Sequence, residues 1–485
     1  MKLKIESLSY KNADRILTAA VVLLAVVLNL ALSALASTFS LYVAATPAYK
    51  HSVGEGTVDF LENIYREGDR VTVTFCQPAD ALEADPTYNL VWQTALQLEE
   101  ALDFVSVRTV NIYTDPEQVE PFRYETVWNE ETGAYETQKV NAITTSSVIV
   151  SGGDRHSVLT MAAFFILDRN QVIRHYNGEE ILSAQIRYVL AEQTPTAYYT
   201  YTHGEEASAA LYNLYTCAGY RMQAIDLLED SPEDTSGILL VINPRYDFVK
   251  GAEGVTAEIE RVRAFVEAGG MLQVYCDPLA EGLTNLEAFL SETGLSPTHA
   301  IIRDPATARS VDGCTFLGSY AEGAEAEALA EVAEQYQSQG VLVRDAAPIA
   351  ISARAGYTAA PLLVSSPSSR AYVGEEMTEE GSLPFAAVST REGGGAVLLV
   401  MGYYVGASDA LDTDAYGNEE FFYGALTRYR GTSSPIGATL LAMTGTALED
   451  LTRRQATWLS LAVTLPLPLG ALVCGGMLIR RRRGR

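Results

Sequence analysis

The stretch Thr196–Tyr220, TAYYTYTHGEEASAALYNLYTCAGY, decides how this chain is read. Its first part is an apolar, aromatic run that stops at Thr202-His203-Gly204-Glu205, and a helical pattern follows. A strand that ends in a polar turn and opens a helix is the repeating unit of an α/β layer. The alternation continues downstream: RMQAIDLL and GILLVINP read as strands, TAEIERVRAFVEAGG as a helix, MLQVYCDP as a strand and LTNLEAFLSETGL as a helix. ILLVI and MLQVY are nearly all apolar, as strands covered on both faces should be. The expected fold is therefore α/β, with a doubly wound domain over residues 193–435.

Upstream, EQTPT at 192–196 reads as a domain boundary. Before it, the alternating residues from Val71 to Phe75, the helical spacing of NLVWQTALQLEEALDF and the strand VSVRTVNIYTDP form a β-α-β unit. Such a unit predicts a parallel strand pair with a right-handed crossover. VIVSGGDRHSVLTMAAFFIL adds an extended region and GEEILSAQIRYVLAE a helix, so the order over 37–192 is thioredoxin-like. Cys76 lies at a strand end, where such folds place redox cysteines. Cys76-Gln77-Pro78-Ala79 lacks the second cysteine, which removes exchange by a C-x-x-C mechanism. Cys217, Cys276 and Cys314 are widely spaced, and Cys474 lies near the C-terminus. Buried free thiols are the expectation, with disulfides left open.

Downstream of the alternating region, residues 321–340 are rich in alanine and glutamate and read as a helix or an acidic excursion. APLLVSSPSSRAYV and SLPFAAVST look extended. Gly393-Gly394-Gly395 precedes a strand rather than opening a helix, so a hairpin turn is expected there, not a phosphate cradle. GNEEFFYGALTRYRG reads as an amphipathic helix.

The two ends are different in kind. Ile16–Ala36 is 21 residues without a charge, and Trp458–Ile479 is 22 more. A bilayer core of roughly 30 Å needs about 20 apolar residues in a helix, so each segment is long enough to span. Lys2, Lys4, Lys11 and Arg15 precede the first, and five arginines between Arg480 and Arg485 follow the second. Positive charge stays on the cytoplasmic side, which places residues 1–15 and 480–485 inside. The two domains and a membrane-proximal segment, 436–457, then lie outside a plasma membrane. A cleaved signal peptide is the rival reading of the first segment, whose length favours an anchor. Asn29, Pro466 and Pro468 are odd in helices that face only lipid, and they are the expected contacts with a membrane partner.

The chain carries a net charge of −27, and the segments at its ends are positive, so the middle is strongly acidic. That excludes nucleic acid as a partner, which needs a basic face. No G-x-x-x-x-G-K-[ST] is present, so the chain cannot itself be an ATPase. His51, His156, His175 and His299 form no metal spacing, and no cofactor is implied. DALDTDAYGNEE is acidic but lacks the EF-hand register, and it reads as a solvated loop.

The second domain runs strand, THGEE turn, helix, AGYRMQAIDL, SGILLVINP, helix, EAGGMLQVYCDP. That order resembles the gliding-motility-associated, GldG-type extracytoplasmic auxiliary proteins of ABC transport systems. PLLVSSPSSRAYV and the closing strand, Gly417-Asn418 pair and helix look similar too, as does the two-span topology. The chain departs from the pattern at Thr202, where glycine is common, and in the LTRYRG ending of the last helix. The resemblance implies a second domain similar to class I glutamine amidotransferases. Those enzymes need a cysteine on a sharp strand-to-helix elbow. The corresponding strand here ends VINPRYDF, without cysteine, serine or a glycine pair.

With no nucleophile to activate, the His203 turn reads first as a structural turn. Gly204 permits a tight bend, and Glu205 and Glu206 stand at a helix N-terminus. His203, Gly204, Glu205 and Asn418 remain the candidate contacts for a ligand or partner, and no catalytic residue is assigned. The expected function is a non-catalytic, membrane-anchored subunit of an ABC export system, working with a separate ATPase and a multi-span permease. The rivals are a membrane-tethered hydrolase or amidotransferase-like enzyme and a transporter-independent scaffold or sensor.

Overall fold

The computed structural model describes residues 52–443, apart from 130–133, 169, 252–256, 281, 336–339, 414, 432–437 and 439. The apolar segments at 16–36 and 458–479, with Asn29, Pro466 and Pro468, lie outside the described residues. Among the described residues no helix is long and apolar enough to cross a membrane. The described chain has an α/β architecture built on several sheets.

Helix α1 (Glu55–Ile64) leads into β1 (Val71–Phe75), α2 (Tyr88–Ala101) and β2 (Val105–Thr109). Val91, Ala95 and Leu98 recur at helical spacing on the buried face of α2. As the β-α-β reading predicts, β1 and β2 are parallel, with Val73 opposite Val107. The region read as one extended segment is a hairpin: β3 (Ser147–Gly152) turns at Gly153-Asp154 into β4 (Arg155–Thr160). Two such turn residues between strands are a hairpin pattern. The sheet order is β2-β1-β3-β4, with β3 antiparallel to β1. A second hairpin, Tyr124–Asn129 with Ala134–Lys139, occupies a stretch to which the sequence reading assigns no element. Strands β5 (Phe165–Leu167) and β6 (Ile173–Tyr176) precede α3 (Gly178–Leu190). Buried Glu179 of α3 accepts the Gly54 N–H at 2.8 Å and so ties α3 to the start of α1.

Residues 191–195 connect α3 to β7 (Thr196–Thr200), which begins the large sheet. Next come α4 (Ala209–Cys217), β8 (Arg221–Ile225), β9 (Ile238–Ile242), α5 (Glu258–Glu267), β10 (Met271–Cys276) and α6 (Thr284–Glu292). Strand β11 (Thr315–Tyr320) is followed by α7 (Ala324–Gln335), so the acidic excursion is a helix. Then come β12 (Val341–Arg344), β13 (Tyr357–Val364), β14 (Pro384–Arg391), β15 (Ala396–Met401) and α8 (Asn418–Arg430). The order across the sheet is β8-β7-β9-β10-β15-β14-β13-β11-β12. The first five strands are parallel and the rest are antiparallel. Gly393-Gly394-Gly395 forms the turn between β14 and β15, as expected.

Helices cover both faces of this sheet, and the apolar strands divide between them. Ile238, Leu240 and Ile242 of β9 pack with Leu211 and Tyr215 of α4 and Phe421 and Phe422 of α8. Leu239 and Val241 pack on the other side with Phe265 of α5 and Phe289 of α6. Period-two alternation in a run without polar residues thus serves two cores. Gln273 is the polar exception in β10. It is buried, and its Oε1 accepts the Tyr275 hydroxyl at 2.7 Å.

Past α8 the chain returns to the first domain. β16 (Leu441–Ala442) pairs antiparallel with β6, Leu441 opposite Tyr176. The segment read as membrane-proximal therefore contains a short strand. The direction of chain progress reverses between β7 and β9, since β8 lies on one side of β7 and β9 on the other. Crevices at the carboxyl ends of such strands are where open α/β sheets bind ligands, and His203 stands there.

Candidate functional site

Beyond β7 the backbone turns at Gly204, whose φ is +72°. A Cβ there would stand 3.1 Å from the Tyr246 ring and 3.3 Å from the Arg245 side chain, so both conformation and space favour glycine. The turn's own carbonyl accepts from the loop after β9: His203 O takes the N–H groups of Arg245 at 2.8 Å and Tyr246 at 3.0 Å. Two strand-end loops are joined at the switch point in this way.

His203 itself is buried, 5% exposed. Its ring stacks on Phe248, with centroids 3.8 Å apart. Nδ1 lies 3.2 Å from Glu205 Oε1, and Nε2 lies 3.1 Å from Glu258 Oε2. Both ring nitrogens face carboxylate oxygens, which are acceptors, so the doubly protonated imidazolium satisfies both contacts. Burial pulls the His203 pKa down, but the hydrogen bonds to Glu205 and Glu258 outweigh it and leave the pKa raised. Burial likewise pushes Glu205 up, and hydrogen bonds with His203 and Thr200 bring it below its ordinary value. Glu205 Oε2 also accepts the His203 N–H at 2.7 Å, and Glu258 Oε2 accepts the Val249 N–H at 2.7 Å.

The sequence reading put Glu205 and Glu206 at a helix N-terminus, and the structure corrects this. Helix α4 starts at Ala209, and Ser208 caps it, its Oγ accepting the Leu211 N–H at 3.0 Å. Ser208 takes the place because a hydroxyl at the N-cap satisfies an orphan backbone donor. Glu205 is freed to bond His203. Exposed Glu206 pairs with Arg245 at 2.6 Å. Glu258 and Phe248 escaped the sequence reading, since each lies more than forty residues along the chain from His203. The available clue is topological: the loop after β9 and the first turn of α5 must converge on the same end of the sheet as the THGEE turn.

Asn418 does not join this cluster. It is the first residue of α8 and is fully buried. Its Oδ1 accepts the Leu342 N–H at 2.8 Å, and its Nδ2 donates to the carbonyls of Leu342 at 2.9 Å and Val405 at 3.0 Å. The amide holds β12 to α8, which is a structural use.

Chemically, carboxylates engage both ring nitrogens of His203, the Thr202 hydroxyl lies 3.3 Å from Nδ1, and among the described residues no serine or cysteine is hydrogen-bonded to the ring. At the end of β9 the residue is Asn243, buried and at φ +52°. A left-handed non-glycine residue at a strand end is an elbow-like feature, but an amide is not a nucleophile. Burial pushes the thiol of Cys276, at the end of β10, up to about 12 and that of Cys76, just after β1, up to about 11. Such thiols stay protonated at neutral pH. Cys76, Cys217 and Cys276 are buried, and no disulfide joins the described cysteines. Among the described residues no group of histidine, cysteine and carboxylate side chains is arranged to hold a metal ion.

No family model matches the chain, and no curated relative matches it. Solved structures that are similar include the mmIFT52 N-terminal domain, 14% identical, with a TM-score of 0.38 over 48% of this chain and 96% of that one. A ThuA-like protein from Bacteroides uniformis is 11% identical, with a TM-score of 0.29 over 50% of this chain and 97% of that one. PurLQS from Thermotoga maritima is 12% identical, with a TM-score of 0.27 over 49% and 99%. Likeness at these scores carries no argument about chemistry.

Proposed function

We propose that this chain is a non-catalytic, membrane-anchored auxiliary subunit of an ABC export system, whose extracytoplasmic domains bind substrate or a partner protein. One observation supports the non-catalytic part: at the switch-point crevice, both nitrogens of His203 face buried carboxylates, which compete with the Thr202 hydroxyl for Nδ1, and among the described residues no serine or cysteine is bonded to the ring. A general base needs a free nitrogen within reach of the proton it takes. The GldG-type order of motifs, and two charge-free segments flanked by cations, supply the membrane and transporter part.

In this reading the first domain is thioredoxin-like and the second is similar to the class I glutamine amidotransferase fold. The β2-β1-β3-β4 order, with one parallel and two antiparallel pairings, supports the first assignment. The five parallel strands, in the order second-first-third-fourth-fifth by their place in the chain, support the second. Asn29, Pro466 and Pro468 would face a permease.

The test is purification of the full chain in mild detergent with mass spectrometry of what accompanies it. An ATP-binding protein and a multi-span permease are expected. A chain that purifies alone from its native membrane would remove the transporter from the proposal. Topology has its own check. Cysteines placed at exposed Tyr113 and Val311 should react with an impermeant thiol reagent in intact cells, and cysteines at Glu6 and Arg485 should not. Labelling at Arg485 would rule out the two-span arrangement.

A further inference from the structure

A groove of about 590 Å³ lies between the two domains, away from the His203 turn, and its lining holds arginine but no aspartate or glutamate. That is unusual in a chain with 61 acidic and 34 basic residues. Arg155 and Arg221 line it, and Arg187 stands directly behind Gly219, also a lining residue. A Cβ on Gly219 would meet the Arg187 guanidinium in its present place, and the residue's φ is +85°, so glycine suits the position.

None of the three arginines pairs with a carboxylate among the described residues. Arg155 donates to the Tyr188 carbonyl at 3.2 Å and to Thr194 Oγ1 at 3.0 Å, and its guanidinium lies 5.4 Å over the Tyr188 ring. Arg221 donates to Thr196 Oγ1 at 3.2 Å, and Arg187 to the Ala218 carbonyl. These neutral acceptors fix the guanidinium groups in place and leave their charge uncompensated.

The groove also follows strand edges. Arg155, His156, Ser157 and Val158 of β4 all line it. Successive side chains of a strand point to opposite faces, so a groove touched by four consecutive residues runs along the edge rather than over one face. Arg221 and Met222 of β8 line it from the other side. Strand β4 ends the first sheet and β8 ends the large sheet, and each has one edge unpaired among the described residues. Charges that guard an edge stand out in solvent. Arg155 is instead folded back onto Tyr188, which leaves the edge open.

We infer that this groove docks an extended, acidic peptide segment of a partner protein, which adds a strand to an open edge and sets its carboxylates against Arg155 and Arg221. Main-chain hydrogen bonds supply affinity in strand addition, and alternate side chains supply specificity. The four residues of β4 span roughly 13 Å, room for about as many residues of an added strand.

The test uses the full chain in mild detergent and a fluorescein-labelled decapeptide of alternating glutamate and threonine, followed by fluorescence anisotropy. Saturable binding is expected. Arg221→Gln, at an exposed position, combined with Arg155→Gln should weaken it at least about tenfold. N-methylation of alternate peptide nitrogens should weaken it comparably, a change that leaves the protein untouched. A lysine–threonine decapeptide should not bind. Thermal melting of the double variant checks that its fold is kept, and Arg221→Gln alone provides the reading if it is not. Absence of saturable binding, or binding indifferent to the arginines, would overturn the proposal. So would equal binding of the N-methylated peptide, or full competition by inorganic phosphate, either of which would make the groove a small-anion pocket.

Discussion

At the ends of β7 and β9 a buried imidazole lies between two carboxylates; at the start of α3 a buried carboxyl lies among neutral donors. Glu180 is 7% exposed. Its Oε1 accepts the Tyr423 hydroxyl of α8, its Oε2 accepts the Asn177 amide, and Cys217 is a third neighbour. No cation is among these partners. Burial pushes the Glu180 pKa up, and the hydrogen bonds from Tyr423, Asn177 and Cys217 only partly oppose it. His203 shows the reverse outcome, since its carboxylates outweigh burial and favour the charged ring. Burial alone therefore does not decide whether a group here keeps its charge. The sign and number of its neighbours decide it. Both clusters join separate stretches of chain: one fastens two strand-end loops and α5, and the other fastens the first domain to α8.

The comparison is broken most forcefully at Glu258. Glu258→Ala leaves His203 buried without one partner and the Val249 N–H without its acceptor, and should lower stability by about 3–5 kcal/mol. Glu258→Gln should also be clearly destabilising, because it removes a charge that the imidazolium faces. Glu180→Gln should be far milder, and relatively better at pH 7 than at pH 4, since the amide removes a charge that burial disfavours. Denaturant unfolding of the purified chain measures all three. Equal losses for the two glutamine variants would mean that Glu180 is ionised and that the contrast is false. His203→Ala strips Glu205 and Glu258 of their shared partner and should cost nearly as much as Glu258→Ala.

What was legible in advance follows the range over which each cause acts. The strands ILLVI and MLQVY, the helices around them and the parallel β-α-β pair were readable because apolar periodicity is local. The Gly393-Gly394-Gly395 hairpin was readable for the same reason. The hairpin at Tyr124–Asn129 and Ala134–Lys139 was missed. So was the return of Leu441–Ala442 to β6, a two-residue strand whose partner stands far upstream. His203, Gly204 and Glu205 read from the sequence as one turn, but their surroundings depend on Glu258 and Phe248, which only the tertiary fold brings near. Glu205 reads as part of a helix start because THGEE runs without a break into the helical pattern, whereas the cap at Ser208 begins the helix three residues later.

Two milder changes sharpen the contrast. Tyr423→Phe removes a hydroxyl from Glu180 without removing the ring, and should cost about 1–3 kcal/mol, the range for leaving a buried polar group unsatisfied. If Glu180 is protonated, the loss should be nearly the same at pH 5 and pH 7. A loss that grows with pH would show the hydroxyl to be solvating an anion. Gly204→Val forces a β-branched residue to φ +72° against the Tyr246 ring, and should cost about 1–2 kcal/mol. Gly204→Asn should recover part of that loss, because asparagine tolerates the left-handed region. Identical melting of the valine and asparagine variants would mean that crowding, not backbone conformation, fixes the glycine.

The smallest expected effect is a slope of stability with pH, and its sign separates the two clusters. His203 is raised above its ordinary 6.5, so its contribution is full below 6.5 and is lost as pH rises through the folded value. Glu205 is lowered from 4.5, so its contribution is present above 4.5 and is lost as pH falls through the folded value. The switch-point cluster is therefore firmest between about 4.5 and 6.5. Glu180 is raised from 4.5, so its contribution is full below 4.5 and declines as pH rises from there. Melting temperature measured from pH 4 to pH 9 should fall on the alkaline side in the wild type. Glu180→Gln should flatten the part of that fall that begins near 4.5, while His203→Gln should flatten the part above 6.5 and leave the acid part in place. If both substitutions flattened the same part of the curve, the two groups would be titrating as one system, and the separate treatment of the two clusters would fail.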